Sequence, residues 1–259
     1  MNRTTISALA LSFSTFATLA NAADFPTKAV PYERSWDGLY FGAAIDGAWY
    51  SHDHAGTLTQ TSVVTPPGTT TVFNGTFSGQ GKGLGLTGNG LIGYNVQAGP
   101  SFVWGAQLEA SLAHIGTSQT GRTITTDGTT TTSLPYFGGA RLFYSASALL
   151  RAGTLVRPNT LLYAIGGLTY GYFEYQDGAG VGRFYAPAAV AGVGVETKIS
   201  DKWSLLTEYR YTGFQNRTVA FNSFTSFATG GTTTVTTNAA STQFHERMHA
   251  IRLGVVYAP

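Results

Sequence analysis

The chain has 259 residues, with 15 basic and 13 acidic side chains, a formal net charge of +2 and no cysteine. The missing cysteine excludes a disulfide framework and a thiolate metal site, and the near balance of charge provides no basic field for nucleic acid. Charged residues make up only 11% of the chain, against 33 glycines, 14 tyrosines and 16 phenylalanines. This composition is unusual for a water-soluble domain, so something other than charge must cover the folded surface.

The N-terminus has the three parts of a secretory signal peptide. Arg3 supplies the positive charge, residues 6–19 form an apolar stretch, and Ala20-Asn21-Ala22 is a small-x-small cleavage site. Ser and Thr side chains interrupt the apolar stretch, which is shorter than the roughly 20 residues that a transmembrane helix needs. Residues 1–22 are therefore predicted to be a signal peptide.

The next segment, residues 23–35, contains two prolines and has no hydrophobic periodicity, which indicates a short periplasmic tether. The spacing of two that is typical of strands begins at Trp36. The folded domain is therefore predicted to span residues 36–259.

Three strands follow in the first half of this domain. In residues 39–50 the odd positions are apolar and the even positions are small or polar, and residues 84–97 and 102–112 alternate in the same way. Ala98-Gly99-Pro100 between the last two predicts a tight turn, because Gly permits positive φ and Pro cannot continue a ladder. The alternation indicates sheets with one apolar and one polar face.

The second half repeats this plan with five more predicted strands. They span residues 143–156, 161–173, 189–199, 203–212 and 249–257.

The connections alternate in length. Tight turns follow strands two, four and six, whereas long links rich in Thr, Ser and Gly follow strands one, three and seven, as in residues 56–81 and 117–133. The long links are predicted to be mobile exposed loops. The pattern predicts an all-β fold, an eight-stranded antiparallel up-and-down transmembrane β-barrel with short periplasmic turns and long extracellular loops.

The polar face of the strands carries four acidic and four basic residues. They are Asp46, Glu109, Arg151, Glu196, Lys198, Glu208, Arg210 and Arg252. Facing lipid, an Arg or Lys at the bilayer midplane costs roughly 2–4 kcal/mol, so these residues are predicted to face the lumen. An unpaired buried charge is costly, so they are expected to form a cross-lumen network centred on Glu208, Arg210 and Arg252.

Aromatic residues cluster at both ends of the predicted strands, as two interfacial girdles would. The set at the tight-turn end is Trp36, Phe102, Trp104, Trp203 and Tyr257, and the set at the loop end is Trp49, Tyr172 and Tyr211. The alternative is a soluble lipocalin-like barrel, which would place the apolar faces inside around an apolar ligand and the charges outside. The placement of the aromatic residues favours the membrane.

Two motifs resemble catalytic or cofactor sites, but their context argues against that interpretation. His245-Glu246-Arg247-Met248-His249 matches a zinc-protease pattern, yet on a strand its two histidines lie about 13 Å apart, too far to share one ion. Gly83-x-Gly85-x-x-Gly88 matches a dinucleotide fingerprint, but a strand follows it instead of the required helix. His52, His54 and His114 are interpreted as surface histidines at loop ends. No enzyme activity, cofactor or metal is expected.

With the strands placed, the sequence resembles the small outer-membrane β-barrel proteins of the opacity-porin type, which include surface antigens of α-proteobacteria. The resemblance covers the whole mature chain. The motifs that carry it are residues 36–42, Gly93-Tyr94-Asn95, residues 161–168, Trp203-Ser204-Leu205 and residues 208–211. Such barrels usually end on an aromatic residue, whereas this chain ends Tyr257-Ala258-Pro259, so the sequence does not indicate how the assembly machinery recognises its last strand.

The resemblance implies insertion in the outer membrane and a role in envelope integrity, surface recognition or limited permeability. The implied partners are outer-membrane lipid with lipopolysaccharide and the barrel-assembly machinery, whereas nucleic acid is not expected and the external loop ligand is not identified. A closed structural barrel is the leading hypothesis, because eight strands leave room only for side chains. A small diffusion channel is the alternative, since Gly42, Ala44, Gly192 and Gly194 on the lumen face could leave a narrow water path.

Overall fold

The computed structural model describes residues 35–126, 131–177, 180–229 and 231–259. The predicted signal peptide and nearly all of the tether lie outside this range. Within it the chain forms nine antiparallel strands. They are β1 (Gly38–Thr65), β2 (Thr69–Ala98), β3 (Phe102–Thr126), β4 (Thr131–Arg157), β5 (Thr160–Asp177), β6 (Gly180–Lys198), β7 (Trp203–Phe214), β8 (Arg217–Thr229) and β9 (Thr232–Tyr257).

The nine strands make a ring of eight. Consecutive strands pair from β1 to β7, β7 pairs with β9, and β9 pairs with β1 to close the sheet. The strands β7 and β8 share one position, because β7 pairs with the end of β9 from Arg247 onward and β8 pairs with its first part up to Phe244. The predicted eight-stranded barrel is confirmed, with its seventh strand interrupted at residues 215–216.

Burial alternates along the strands as the sequence predicts. In β7, for example, every second residue from Ser204 to Phe214 is buried, while Trp203 and Leu205 are 48% and 49% exposed. Among the described residues, helices long and apolar enough to cross a membrane are not found. The tight turn at Gly99 uses a φ of +76°, which a residue with a Cβ adopts only at a cost.

The prediction that residues 56–81 and 117–133 form mobile loops is wrong for the residues that the structure describes. The ladder of β1 and β2 continues up to the pair Val64 and Thr69, and that of β3 and β4 continues to the pair Thr126 and Thr131. These segments are rich in threonine, a β-branched residue that favours strands. The polarity of threonine suggested a solvated loop, but its branched side chain also favours a strand, and these segments form strands. The wall of the barrel therefore rises well beyond the predicted strands.

Candidate functional site in the barrel lumen

Seven of the eight predicted lumen charges lie together inside the barrel, each between 2% and 5% exposed. We call this set the charge layer. It consists of Asp46, Glu109, Arg151, Glu196, Glu208, Arg210 and Arg252. Side chains on the inward parity of an eight-stranded sheet fill a narrow interior, so charges placed there can meet across it.

Arg252 connects the two strands at which the barrel closes. It lies directly opposite Asp46 in the ladder of β1 and β9. Its Nε and Nη2 donate to the two oxygens of Asp46 at 2.7 and 2.9 Å, and its Nη1 donates to Glu109 Oε1 at 2.7 Å. This guanidinium therefore holds a cross-strand partner and a partner on β3 at the same time.

Glu109 is the centre of the layer, a role that the sequence analysis assigned to Glu208, Arg210 and Arg252. Arg210 donates to both oxygens of Glu109 at 2.7 Å, and its Nε donates to Glu208 Oε2 at 2.6 Å. Glu109 thus accepts hydrogen bonds from two guanidinium groups. No pattern within one strand could indicate this, because the partners come from opposite sides of the lumen.

Arg151 and Glu196 form a second pair in the charge layer. Arg151 Nη1 donates to Glu196 Oε2 at 2.8 Å, and its Nε donates to Asn95 Oδ1 at 2.9 Å. The guanidinium carbon lies 4.5 and 5.0 Å from the ring centroids of Tyr40 and Tyr163, within cation–π range. The guanidinium is therefore held between two tyrosine rings.

Neutral side chains join the two groups of charges. Tyr163 Oη donates to Glu208, and Tyr40 Oη donates to Gln107, whose amide donates to Glu109. Tyr163 donates to Glu208 Oε1, whereas Arg210 donates to the other oxygen of that carboxylate. Gln107 adds a third donor to Glu109 Oε1, which also accepts from Arg210 and Arg252. The sequence analysis missed these neutral residues, although each lies on the same inward parity as the charges.

Lys198 and Trp36 lie at the short-turn end of the lumen. Lys198 Nζ donates to the carbonyl oxygen of Ser35 at 2.7 Å and lies 4.6 Å from the centroid of the Trp36 ring. Next to them Asp37 accepts hydrogen bonds from the Gln97 backbone and the Ser35 hydroxyl, which lower the pKa of its carboxyl group. Lys198 therefore contributes to this mouth, whereas the prediction placed it in the central network.

A layer of aromatic rings fills the lumen above the charges. This aromatic layer consists of Tyr50, Phe173, Tyr175, Phe184, Phe214 and Phe244. The rings of Phe173 and Phe214 meet edge-on at 4.8 Å, and Phe184 stacks on Phe173 at 5.4 Å and on Phe244 at 5.2 Å. Tyr50 lies four residues beyond Asp46 on β1, so the two layers are about 13 Å apart along the strand.

The interpretation of His52 and His54 as surface histidines is wrong. They are 0% and 4% exposed and lie inside the aromatic layer, whereas His114 is exposed as expected. His52 Nδ1 hydrogen-bonds to Glu246, which also accepts from Tyr50 Oη. The predicted strand ended at residue 50, whereas β1 continues to Thr65. His52 and His54 follow Tyr50 at every second position, so they face the lumen as Tyr50 does.

The small residues of the lumen face are closely covered by their neighbours. A Cβ placed on Gly194 would lie 2.7 Å from Glu208 Cγ and from Tyr163 Cζ, and one on Gly42 would lie 2.8 Å from Leu91 Cδ1. Glycine at these positions therefore makes room for the larger side chains of adjacent strands.

The outer face has the opposite character. Leu108, Leu205 and Leu253 are 60%, 49% and 53% exposed, while Glu208 and Arg252 are each 2% exposed. A lipocalin-like carrier would have the reverse arrangement, so the structure overturns that alternative.

Residues 6–257 match the family described as outer membrane protein beta-barrel domain. The chain belongs to this family. The 31 kDa outer-membrane immunogenic protein of Brucella melitensis is 29% identical over 230 residues, covering 81% of this chain and 88% of that protein. Among solved structures, Neisserial surface protein A is 10% identical, with 80% of this chain and 96% of that chain covered and a TM-score of 0.38. OprG from Pseudomonas aeruginosa is 13% identical, with 82% and 97% covered and a TM-score of 0.36.

The protein is thus an outer-membrane barrel, and its apolar outer face meets lipid. Seven of the eight predicted girdle residues lie on this face, either exposed or half-buried. At the periplasmic end the rings of Trp203 and Tyr257 lie 5.0 Å apart, and at the extracellular end Tyr211 lies 5.0 Å from His249. The seven are Trp49, Phe102, Trp104, Tyr172, Trp203, Tyr211 and Tyr257.

Trp36 is the exception, since it is 4% exposed and points into the periplasmic mouth. Its Nε1 donates to the carbonyl oxygen of Pro158 at 3.3 Å, and its backbone N–H donates to Gln97 Oε1 at 2.9 Å. The residue precedes β1, so the alternation of the strand does not determine its direction. The prediction that Trp36 is part of a girdle is therefore wrong.

The two motifs that resemble catalytic or cofactor sites lie in strands. The zinc-protease pattern is part of β9, where Glu246 faces the lumen and His245 and His249 lie on the opposite, outward parity. The glycine pattern lies within β2. Among the described residues, groups of three or more His, Cys, Asp or Glu placed to hold a metal ion are not found.

Proposed function

We propose that the protein is a closed outer-membrane barrel that supports the integrity of the envelope and presents its extracellular rim to the outside. The charge layer carries the proposal, because it receives side chains from around the whole ring. Its charged residues come from β1, β3, β4, β6, β7 and β9, and Asn95 of β2 and Tyr163 of β5 hydrogen-bond to them. A layer tied to all eight positions of the ring leaves little room for an aqueous path.

The aromatic layer supports a closed lumen independently. Phe173 and Tyr175 of β5, Phe244 of β9 and Tyr50 of β1 are almost completely buried above the charges. An ion would have to pass both a layer of packed rings and a layer of paired charges. The alternative of a diffusion channel rested on small lumen residues, and the close neighbours of Gly42 and Gly194 argue against a gap there.

Surface presentation is the second part of the proposal. The Brucella relative is named an outer-membrane immunogenic protein, and this name supports the proposal. In this chain the upper parts of β1 and β2 carry mostly Thr, Ser and Gly with little burial, which suits a solvated, recognisable surface. We extend no catalytic role to the barrel, since Glu246 is used within the aromatic layer and faces away from both histidines of its motif.

Conductance across a planar bilayer tests the closed lumen. Purified full-length mature protein, shown to be folded by its shift in gel mobility on boiling, is expected to give no steady current above the bare bilayer. A bilayer with a well-characterised porin serves as the positive control for insertion. A sustained, voltage-independent current from the folded protein would favour the diffusion channel instead.

A further inference from the structure

Two strand edges face each other without pairing at the extracellular rim. Residues 181–187 of β6 pair with β5 on one side, and β8 pairs with β9 along its whole length. Among the residues that the structure describes, no ladder joins β6 to β8, and the last pair of β6 with β7 is Ala188 with Phe214. We call the gap between residues 181–187 and β8 the rim slot. Each of its edges presents a row of backbone N–H and C=O groups.

Pro187 ends the ladder at the base of the rim slot. The backbone N–H of Gln215 donates to the carbonyl oxygen of Pro187 at 2.9 Å. Residues paired in this way in an antiparallel ladder exchange two hydrogen bonds, but proline has no N–H to return the second.

One extra residue follows in the segment that joins β7 to β8. Gly213 pairs with Arg247, and Arg217 pairs with Phe244, so the three residues 214–216 face only two residues of β9. This arrangement is a β-bulge, which shifts the register of β8 by one residue relative to β7.

The shift prevents β8 from pairing with β6. Arg217 lies opposite Phe244, whose ring is inside the lumen, so Arg217 is on the inward parity of β8. The register of β6 and β7, if continued, would place Arg217 opposite Tyr185, which is 46% exposed on the outward face of β6. Directly opposite residues of a ladder share one face of the sheet. The rim slot is therefore a consequence of the proline and the extra residue together.

The rim slot lies on the aqueous side of the extracellular girdle and lacks the usual protection of an edge. Gln215 is four residues beyond Tyr211, or about 13 Å along the strand. Natural edge strands usually carry charges or prolines that block further pairing, but residues 218–229 of β8 contain neither. Arg183 on the opposite edge pairs with Glu174 at 2.9 Å. The edge of β8 is therefore open to another strand, and its composition does not select a charged one.

A second copy in the same membrane does not suit this edge. Two copies in one membrane both run β8 away from it, so their edges meet only in parallel. The two-fold axis of such a dimer is the membrane normal, and it brings identical residues to the same height. A parallel ladder instead needs the bonding residues of its two strands offset by one residue. The edge therefore suits a strand from a different protein.

We propose that the rim slot binds an extended, uncharged polypeptide segment of an extracellular partner, which pairs as an added strand with β8 and with residues 181–187. Backbone hydrogen bonds supply the affinity, and alternate side chains supply the selectivity. Inward side chains of the segment lie between Phe184 and Val219, which pack against the aromatic layer, so apolar residues are preferred there. Outward side chains lie beside Thr218 and Ala220, which are exposed, so small polar residues are accepted. The proposal rests on the surface presentation proposed above and adds a class of partner to it.

Fluorescence anisotropy of a labelled peptide with the full mature protein in phosphatidylcholine nanodiscs tests the proposal. The probe has the sequence of residues 232–244, which pair with the other edge of β8 and contain neither charge nor proline. A second probe has the same sequence with N-methylated backbone amides. It keeps the side chains but cannot donate hydrogen bonds to a strand edge.

Removal of Asn216 is the decisive variant. It makes β7 and β8 continuous against β9 and places Val219 opposite Phe184, both on the inward parity, so that β8 can pair with β6. Each backbone hydrogen bond contributes about fivefold in affinity, and the loss of about three predicts about 100-fold weaker binding of the first probe. Asn216→Ala, which keeps the extra residue, is the matched control and is expected to stay within about twofold.

The N-methylated probe is expected to bind the unchanged protein no better than the first probe binds the deletion variant. Equal binding of the two probes, equal binding of the first probe to both proteins, or no binding to the unchanged protein would each overturn the proposal. Dimerisation that the deletion abolishes would overturn it in favour of a second copy. Folding of the deletion variant is checked by gel mobility, and the comparison of probes does not depend on that variant.

Labelling of intact cells distinguishes this failure from a failure of surface presentation. The chain has no cysteine, so Ala220→Cys places a single thiol on β8. A membrane-impermeant maleimide is expected to label it on intact cells. Labelling without peptide binding would overturn strand addition alone, whereas labelling only after lysis would overturn the exposed rim as well.

Discussion

The two layers of the lumen are held together by different interactions. In the charge layer, Arg252 and Arg210 connect carboxylates from three strands through hydrogen bonds of 2.6–2.9 Å. In the aromatic layer, rings such as Phe173 and Phe244 are buried by contact with other rings. The polar group Tyr50–Glu246–His52 lies among these rings, together with His54. Both layers fill the same ring of strands. Comparing them therefore separates the contribution of ion pairs to stability from the contribution of side-chain packing.

The difference predicts which substitutions each layer tolerates. Removing one partner of a buried ion pair destabilises the protein, because the other charge stays in a poorly solvated site. An apolar side chain of the same volume does not restore this stability. Truncating a side chain in an apolar layer destabilises the protein, because contacts disappear and a cavity remains. Another apolar residue of similar size restores much of the stability. Variants that separate charge from volume therefore test whether the layers differ as the structure indicates.

Replacing Arg252 should give the largest effect. Arg252→Ala leaves Asp46, Glu109 and Glu208 with Arg210 as their remaining guanidinium partner, which is expected to lower the free energy of unfolding by about 3–5 kcal/mol. Arg252→Met restores volume but no charge, so a similar loss is expected. Urea titration of the folded protein in lipid vesicles measures both. A methionine variant as stable as the unchanged protein would mean that the layer is held by packing.

Phe173 is the corresponding position in the aromatic layer. Its side chain is fully buried against Phe214, Phe184 and Tyr50. Phe173→Ala is expected to cost about 3 kcal/mol through the cavity that it leaves, whereas Phe173→Leu should recover more than half of that loss. The same titration compares them. If leucine destabilises as much as alanine, edge-to-face ring geometry rather than volume holds this layer together.

The charge layer was largely predictable, because parity within a strand is a local property. Glu208 and Arg210 lie two residues apart on β7, so both face the same way whatever the phase of the strand, and burial of either implies burial of both. The identity of the centre was not predictable. Glu109 meets Arg210 across the lumen, and that meeting depends on the stagger of β3 against β7, which a sequence without pairing information does not contain.

The aromatic layer was missed for a different reason. Its polar group includes His52, which was predicted to lie at a loop end, and Glu246, which precedes the last predicted strand at residues 249–257. Thr, Ser and Gly are common both in solvated loops and in strands that face water on both sides, so composition alone could not decide where β1 ends. Trp36 shows the same limit, since it lies before the first strand and alternation gives it no direction.

Shortening the extracellular hairpin of β1 and β2 should change the stability least. It tests whether the residues that stabilise the barrel end at the aromatic layer. Residues 57–76 are all exposed or half-buried, and Leu58 pairs with Gly75 across the hairpin. Replacing residues 59–74 with Asn-Gly, a two-residue turn suited to such a hairpin, is expected to change the free energy of unfolding by less than about 1 kcal/mol.

The matched control for the shortened hairpin is Phe77→Ala, just below the cut. Phe77 is 6% exposed and its ring lies 6.0 Å from His54, so its loss removes volume from the top of the aromatic layer and is expected to cost about 3 kcal/mol. Urea titration ranks the two variants. If the shortened hairpin destabilises the protein more than Phe77→Ala does, the rim strands themselves hold the barrel closed through their ladder with β9. The part of the barrel that stabilises the fold would then extend above the aromatic layer.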